Sequence, residues 1–342
     1  MAPKHLPMNS KIILLGSCAV VALVPLALNA QVIYSDGFSS STDAANYNTF
    51  VTPGATGPSS DATFGYDYSA LGIPAAPNTT DGSTFGLRLR VDNLQSSVGT
   101  VVGAVEVATT GVSLPSQYVI SADVWGNYIG SGTSIASSGV NGSTGTAMGV
   151  GTTGTSLQYV AANNGLLVEA FHDNGGGANQ EYRVYTGNTH PNPTTAGYWA
   201  AGTSSTSASY TDPYYNFLGS HTAPAAQIAL SATQGGSTPV GIIGFAWHTM
   251  TITQDGVNMT WAIDGHTIAT VPDSALTLAG SQVSLGADDS GLSGSSAANN
   301  QLFNADIWDN LTITTVPEPV TSSFLMLGAA GLFVSRRLTR KG

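Results

Sequence analysis

Side chains able to do chemistry are scarce between residues 31 and 315, and their spacing is the first constraint. Glu106, Glu169 and Glu181 are the only glutamates there, and none has another acid two residues away. Cleaving a glycosidic bond needs two carboxyl groups at a fixed separation, one to give a proton and one to attack or to activate water. Glu169-Ala170-Phe171-His172-Asp173 comes nearest, with three polar groups near one strand end and Asp173 opening the turn Asn174–Gly177. The same residues also read as an ordinary exposed strand end and its turn. Asp288-Asp289, beside Ser290, offers oxygen ligands of the kind calcium takes. The stretch reads as a solvated loop and has no twelve-residue EF-hand pattern. His172, His190, His221, His248 and His266 lack metal-ligand spacing. Tyr198 and Trp199 lie in a loop-like stretch and are the candidates for stacking on a sugar ring, while tryptophans in alternating strands read as core. No catalytic residue is assigned.

The elements that must position these groups are almost all strands. Phe85–Val91 alternates apolar and basic residues, which predicts a strand with Arg88 and Arg90 on one face. Val98–Val107, Tyr118–Trp125, Leu166–Phe171, Tyr182–Thr186, Gln282–Leu285 and Asn304–Thr315 also read as strands, and Leu157–Ala161 as a shorter one. His248–Val271 predicts a three-stranded antiparallel meander, because two Asp-Gly pairs nine residues apart interrupt alternating apolar residues. Asp-Gly suits two-residue hairpin loops, whose central residues take positive φ. Val32–Phe38 opens the body as a short strand expected to pair with a late one. Thr52–Ser83 reads as a long surface loop with one short strand, and Ile129–Gly145 as a Gly/Ser/Thr loop. Ala287–Asn300 reads as a polar loop. No helix of ten residues is expected away from the two ends.

Charge excludes one class of partner. Residues 31–315 hold three arginines (Arg88, Arg90, Arg183), no lysine and nineteen acids, a formal charge of −16. A surface without a basic patch is not one for nucleic acid. The only cysteine, Cys18, falls outside this body, which therefore has no disulfide, no zinc–thiolate site and no cysteine nucleophile.

The two ends carry an address. Lys4 and Lys11 precede the apolar run Ile12–Leu28, and Pro25 ends it before small residues up to Ala30. This is the layout of a signal peptide, residues 1–30, with cleavage after Ala30 or after Ala27; an uncleaved signal anchor is the alternative. At the other end, Val316-Pro317-Glu318-Pro319 is followed by the apolar run 320–334 and by Arg336, Arg337, Arg340 and Lys341. Two prolines hold the motif out of sheet and helix. Fifteen residues make a transmembrane helix of about 22 Å, short of a hydrocarbon core of about 30 Å unless arginine stems snorkel. The basic end keeps to the cytoplasmic side. Residues 316–342 resemble the sorting signal of PEP-CTERM proteins; a plain tail anchor is the alternative. The resemblance implies an exported protein of a Gram-negative bacterium that makes exopolysaccharide. It implies signal peptidase and an exosortase as processing partners, a transient inner-membrane anchor, and a final place at the cell surface or outside. The sequons at Asn78, Asn141, Asn258 and Asn310 would then mean little.

The body, residues 31–315, invites its own comparison. Tyr34-Ser35-Asp36-Gly37-Phe38, Val124-Trp125-Gly126-Asn127-Tyr128, the meander after Trp247 and Trp308-Asp309-Asn310-Leu311-Thr312-Ile313 occur in that order. Together they resemble a concanavalin A-like (laminin G-like) domain. The expected fold is all-β, an antiparallel β-sandwich of jelly-roll type, flanked by an N-terminal signal helix and a C-terminal membrane helix. The resemblance implies a curved face where relatives bind sugars. Its laminarinase-like members carry Glu-x-Asp-x-x-Glu on one strand, and no such string occurs here. The expected function is therefore binding or structural, toward exopolysaccharide. A polysaccharide hydrolase or lyase on the same fold, or a coat protein without a ligand, are the alternatives. No cofactor is expected unless it is calcium.

Overall fold

Apolar residues at every second position of Ile120-Ser121-Ala122-Asp123-Val124 put one face of an extended chain in the core and leave the other for polar groups. The computed structural model has fourteen strands among its described residues, and two smaller apolar clusters add burial on the outer faces of the sheets. It describes residues 30–52, 60–91, 103–127, 144–158, 164–172, 181–186, 198–202, 207–230, 234, 236–289 and 302–316. In chain order the strands are β1 (Val32–Asp36), β2 (Tyr47–Val51), β3 (Asp61–Asp67), β4 (Phe85–Arg90), β5 (Gly103–Thr109), β6 (Tyr118–Gly126) and β7 (Thr144–Thr152). They continue as β8 (Leu166–Phe171), β9 (Tyr182–Tyr185), β10 (Trp247–Gln254), β11 (Asn258–Ile263), β12 (His266–Pro272), β13 (Gln282–Asp289) and β14 (Ala305–Thr315). One short helix, α1 (Ala225–Leu230), precedes β10.

The strands form two antiparallel sheets. The larger runs β12-β11-β10-β6-β14-β4-β3, with β1 also on β14; the smaller runs β2-β5-β13-β7-β8-β9. Neighbours far apart in sequence, with sheet crossings between them, make a jelly-roll β-sandwich. Ile120, Val124, Met250, Ile252, Trp261 and Trp308 of the large sheet share one buried cluster with Val105, Val107, Met148, Val168, Val283 and Leu285 of the small one. Each such side chain contributes about 1.5–3 kcal/mol on burial. The ends of the body meet as expected: Thr315 N donates to Gln31 O at 2.9 Å, and Gln31 N to Thr315 Oγ1 at 2.9 Å.

Several sequence expectations are met and others are corrected. Arg88 and Arg90 do share a face of β4, where both guanidiniums reach Asp61 on β3. The meander is β10–β11–β12. At its second turn Asp264 (φ 50°) and Gly265 (φ 76°) both take positive φ, while at the first only Gly256 does, at 91°. There Asp255 accepts hydrogen bonds from Val257 N and Asn258 N instead. The region read as surface loop between Thr52 and Ser83 is a lid in part. Tyr68, Leu71 and Ile73 are buried against Trp125, Phe245, Phe303 and Ile307 on the outer side of the large sheet. Asp288 and Asp289 stand on strand β13, not in a loop. Strand β7 begins at Thr144, inside the stretch read as flexible, and Leu157 and Gln158 are not in a strand.

Residues 1–29 of the signal peptide, all of the sorting signal after Val316, the expected membrane helix 320–334, the basic residues Arg336, Arg337, Arg340 and Lys341, and Asp173 lie outside the described residues. Among the described residues no helix is long and apolar enough to cross a membrane.

Candidate functional site

A cavity of about 540 Å³ opens on the outer side of the large sheet, where β1, β6, β10 and β14 meet the turn between β11 and β12. Its lining residues include many that can hydrogen-bond, among them Asp264, Asn78, Asn310, Ser121, Thr249 and Thr312. Ser35, Asp36, Gly37, Gly265 and Leu311 complete the lining, although the Leu311 side chain packs in the core between the sheets.

Local backbone features aim these groups. The pairing of β14 with β6 shifts between Asp309 and Thr312, and Asn310 takes φ 53° at that bulge. A bulge redirects side chains that regular alternation would send elsewhere. Asp264 sits at φ 50°, and Phe38, just past Asp36, at φ 49°. Two of the four described non-glycine residues with positive φ, Asp264 and Asn310, therefore line one cavity, each holding a conformation that costs L-residues energy.

Beneath the wall lies a pair of buried aspartates. Asp123 Oδ1 accepts from Asn78 Nδ2 and Thr249 Oγ1, each at 2.7 Å. Its Oδ2 accepts from Asn310 Nδ2 at 2.9 Å and Asn78 N at 3.1 Å. Asp309, its cross-strand partner, accepts from Tyr68 Oη at 2.9 Å and Asn310 N at 2.7 Å. Burial pushes Asp309 up to about 7, and the nearby charge of Asp123 adds to this against the hydrogen bonds it receives. Two further aspartates differ: Asp36, paired across the strands with Leu311 of the core, turns its carboxylate inward to Tyr34 and Tyr47, whereas Asp264 stands at the turn beside the cavity. Burial raises Asp36 above the ordinary carboxylate value, opposed by hydrogen bonds from Phe38 N (2.7 Å) and the Tyr47 and Tyr34 hydroxyls. Burial acts the same way on Asp264, but His248 Nδ1 at 2.7 Å and Thr249 N at 2.8 Å outweigh it, and its carboxyl titrates below the usual range.

Acceptors, donors and two-way hydroxyls around an open cavity suit a polyhydroxylated ligand. Among the described residues no group of three or more His, Cys, Asp or Glu is placed to hold a metal ion.

The residues singled out from sequence are elsewhere. Trp199 is 9% exposed and belongs to the core, so it offers no ring face for stacking, and Tyr198 is half-buried against the same cluster. Their backbone extends the edge of β12, with Ala200 N donating to Ile268 O and Thr270 N to Tyr198 O. Asp288 is buried on the outer face of the small sheet. A Cβ on Gly145 would stand 2.6 Å from Asp288 Oδ1 and 3.2 Å from Glu169 Oε1, so the missing side chain makes room for both carboxyls. Glu106 and Glu169 share that face through the register Glu106–Gly286–Ala147–Glu169–Arg183. Both are buried and take protein donors: Gln158 N to Glu106 and the Tyr185 hydroxyl to Glu169, each at 2.8 Å. His172 pairs instead with Asp306 of the other sheet, Nε2 to Oδ1 at 2.9 Å. Glu169 and His172 are thus not one cluster, because residues three apart along an extended chain point to opposite faces. Sequence reading missed Asn78 and Asn310 as site residues. Their one visible signal was position, Asn310 within a motif of the final strand and Asn78 in a polar stretch.

No family model matches the chain, and no curated protein does. Solved structures of similar architecture exist. A Bacillus subtilis protein of unknown function with a galectin-like fold has a TM-score of 0.39 and 9% identity, over 85% of this chain and 100% of that one. A GlcNAcα1-4Gal-releasing endo-β-galactosidase from Clostridium perfringens gives 0.41 and 11%, over 86% of this chain and 64% of that one. A glycoside hydrolase family 16 endo-glucanase from Bacteroides ovatus gives 0.36 and 12%, over 82% and 100%. At such values no residue of theirs can be carried onto this chain.

Proposed function

We propose that this is an exported surface or matrix protein whose β-sandwich binds extracellular polysaccharide in the cavity at the β14 bulge. The observation that carries this is the cavity wall, in which carboxylate, amide and hydroxyl residues from six separate parts of the chain converge on one open space. Sugar hydroxyls both donate and accept, and such a wall can satisfy both. The export half of the proposal rests on the terminal segments. Val32 begins β1 two residues past the expected cleavage after Ala30, and β14 ends at Thr315, one residue before Val316. Signal peptidase and an exosortase would therefore act next to the start of β1 and the end of β14, and the inner membrane would hold the protein only in transit.

The test uses the protein recovered from its own host. The expected mass corresponds to a chain starting near Gln31 and ending close to Val316–Pro319, found outside the inner membrane. A species that keeps Arg336–Lys341 in that membrane overturns the sorting half. On a glycan array the recovered protein is expected to retain polysaccharide, and Ser121→Tyr, which fills the cavity from a half-buried strand position, is expected to lose it with an unchanged melting temperature. Equal retention by that variant refutes the site. No retention of any glycan leaves the ligand-free coat protein.

A further inference from the structure

We propose that the cavity is the deep margin of a longer track, and that its ligand is an extended, uncharged polysaccharide chain lying across the strands of the large sheet. This rests on the glycan-binding reading of the cavity and adds the shape of the chain. The cavity already runs across the strands, from Ser35 on β1 past Thr312 on β14, Ser121 on β6 and Thr249 on β10 to Gly265 in the turn between β11 and β12. Two rows of residues on the same outer face also cross these six strands. The row along the cavity is Ser35–Thr312–Ser121–Thr251–Ala262–Thr267, each residue paired in register with the next. The row beyond it is Val32–Thr314–Val119–Thr253–Thr260–Thr270, paired in the same way. Nine of these twelve residues are serine or threonine, and none is charged. Apart from the buried Ala262, all are exposed or half-buried. The Thr260 and Thr270 hydroxyls stand 3.4 Å apart, so neighbouring strands do present them together.

Neighbouring strands are about 4.8 Å apart, which makes each row about 24 Å long. Threonine is stiff at χ1, so its hydroxyl and methyl are in place before a ligand arrives and little side-chain freedom is lost on binding. The hydroxyl can donate to and accept from a sugar hydroxyl, and the methyl can meet the C–H groups of a ring. Exposed strands favour β-branched residues even without a ligand; the cavity running along the first row is what makes this pattern a site. Two other occupants fit worse. The rows cover about 340 Å², under half of the about 800 Å² per partner in a standard protein interface, and a second copy would bring its own formal charge of −16. A flat crystalline surface would lose contact as successive strands turn by about 20–25°. A single chain can follow that twist.

The measurement is calorimetric titration of the recovered protein with one sugar in two chain shapes, the extended cello-oligosaccharides and the coiling malto-oligosaccharides, as dimers and hexamers. Cellohexaose is expected to bind about a hundredfold more tightly than cellobiose, through the hydrogen bonds that further units add. Maltohexaose is expected to gain nothing over maltose, and hexagalacturonate, which meets the acidic body, is expected not to bind. Thr251→Lys, in the first row but outside the cavity lining, is expected to cut cellohexaose affinity about tenfold and to leave cellobiose as it was. Thr253→Ala, in the second row, is the milder companion, and melting temperatures check both folds. Equal affinities of the two glucose hexamers, or a cellohexaose no tighter than cellobiose, overturns the track and leaves the cavity as a site for single sugar units. Tight binding of hexagalacturonate overturns the uncharged class. Failure of both glucose series, with other glycans retained on the array, overturns the extended chain as well, whereas retention of no glycan takes the binding function with it. Unchanged cellohexaose affinity in both variants removes the threonine rows from the site.

Discussion

Replacing Asp123 by alanine is expected to cost about 3–5 kcal/mol of folding stability. The side chain is fully buried and accepts four hydrogen bonds, from Asn78 N, Asn78 Nδ2, Thr249 Oγ1 and Asn310 Nδ2. Alanine removes every acceptor at once and strands donors that join the lid segment, β10 and the β14 bulge to β6. The loss would read out in guanidinium unfolding as a lower midpoint at unchanged slope. It would also take the cavity with it, because Asn78 and Asn310 owe their positions to this carboxylate. A variant with near-native stability would mean that water replaces Asp123 at little cost, and that the wall is not organised by it. Asp123→Asn should be milder, since one oxygen still accepts.

Asp309→Asn is expected to act in the opposite direction. The folded protein holds the Asp309 proton more tightly than the unfolded chain does, with the value raised from 3.8 to about 7. The stabilisation this gives is complete below about pH 4 and is lost as pH rises through about 7. Above that the protein folds around a buried charge beside Asp123. A neutral amide removes the burden, so the variant should be more stable than the parent at pH 8 by about 2 kcal/mol, after discounting for solvent screening. At pH 4 the two should differ little. The amide introduces a donor where Tyr68 now donates, but that hydroxyl can turn fully to Ser83 O, 3.3 Å away. Urea midpoints of both proteins at pH 4 and pH 8 decide it. Parallel pH slopes, or a less stable variant at pH 8, would show that Asp309 folds with an ordinary carboxylate.

The Asp309 result bears on a second reading of the cavity, as the site of a hydrolase or lyase. Two neighbouring carboxyls, one titrating near neutrality, are what general acid–base work requires. Asp309 is 2% exposed and closed off by Tyr68 and Thr79, so the present geometry stores this pair within the fold and keeps it from a substrate.

Much of the sandwich was legible in the chain because strand alternation is a local property. Ile120, Ala122 and Val124 announced the inward face of β6, and Asp264-Gly265 announced a turn whose φ angles are those found. The arginines of β4 fell on one face for the same reason. Strand β7 was not legible, since Thr-Gly-Thr-Ala-Met-Gly-Val-Gly-Thr has the composition of a linker. Its glycines answer to neighbours from elsewhere: a Cβ on Gly149 would stand 1.9 Å from Gln158 Oε1 and 2.4 Å from Ser284 Oγ. Glycine inside a strand marks such close approach, but which group approaches depends on pairing with β13. Trp199 shows the same limit, an aromatic in a loop-like stretch that the edge of β12 draws into the core.

The sequence by itself determined the all-β class, the meander, the meeting of the first and last strands, and an acidic, thiol-free body between two terminal segments. Only the tertiary structure decided where the polar groups meet. Asp36, Asn78, Asp123, Asp264 and Asn310 come from separate strands and turns spread over most of the chain. Each strand's periodicity fixes which side its own residues face, whereas the order of strands in the sheet fixes which residues become neighbours about 5 Å apart. That order comes from burying two apolar faces against each other, a property of the whole chain that no single stretch carries.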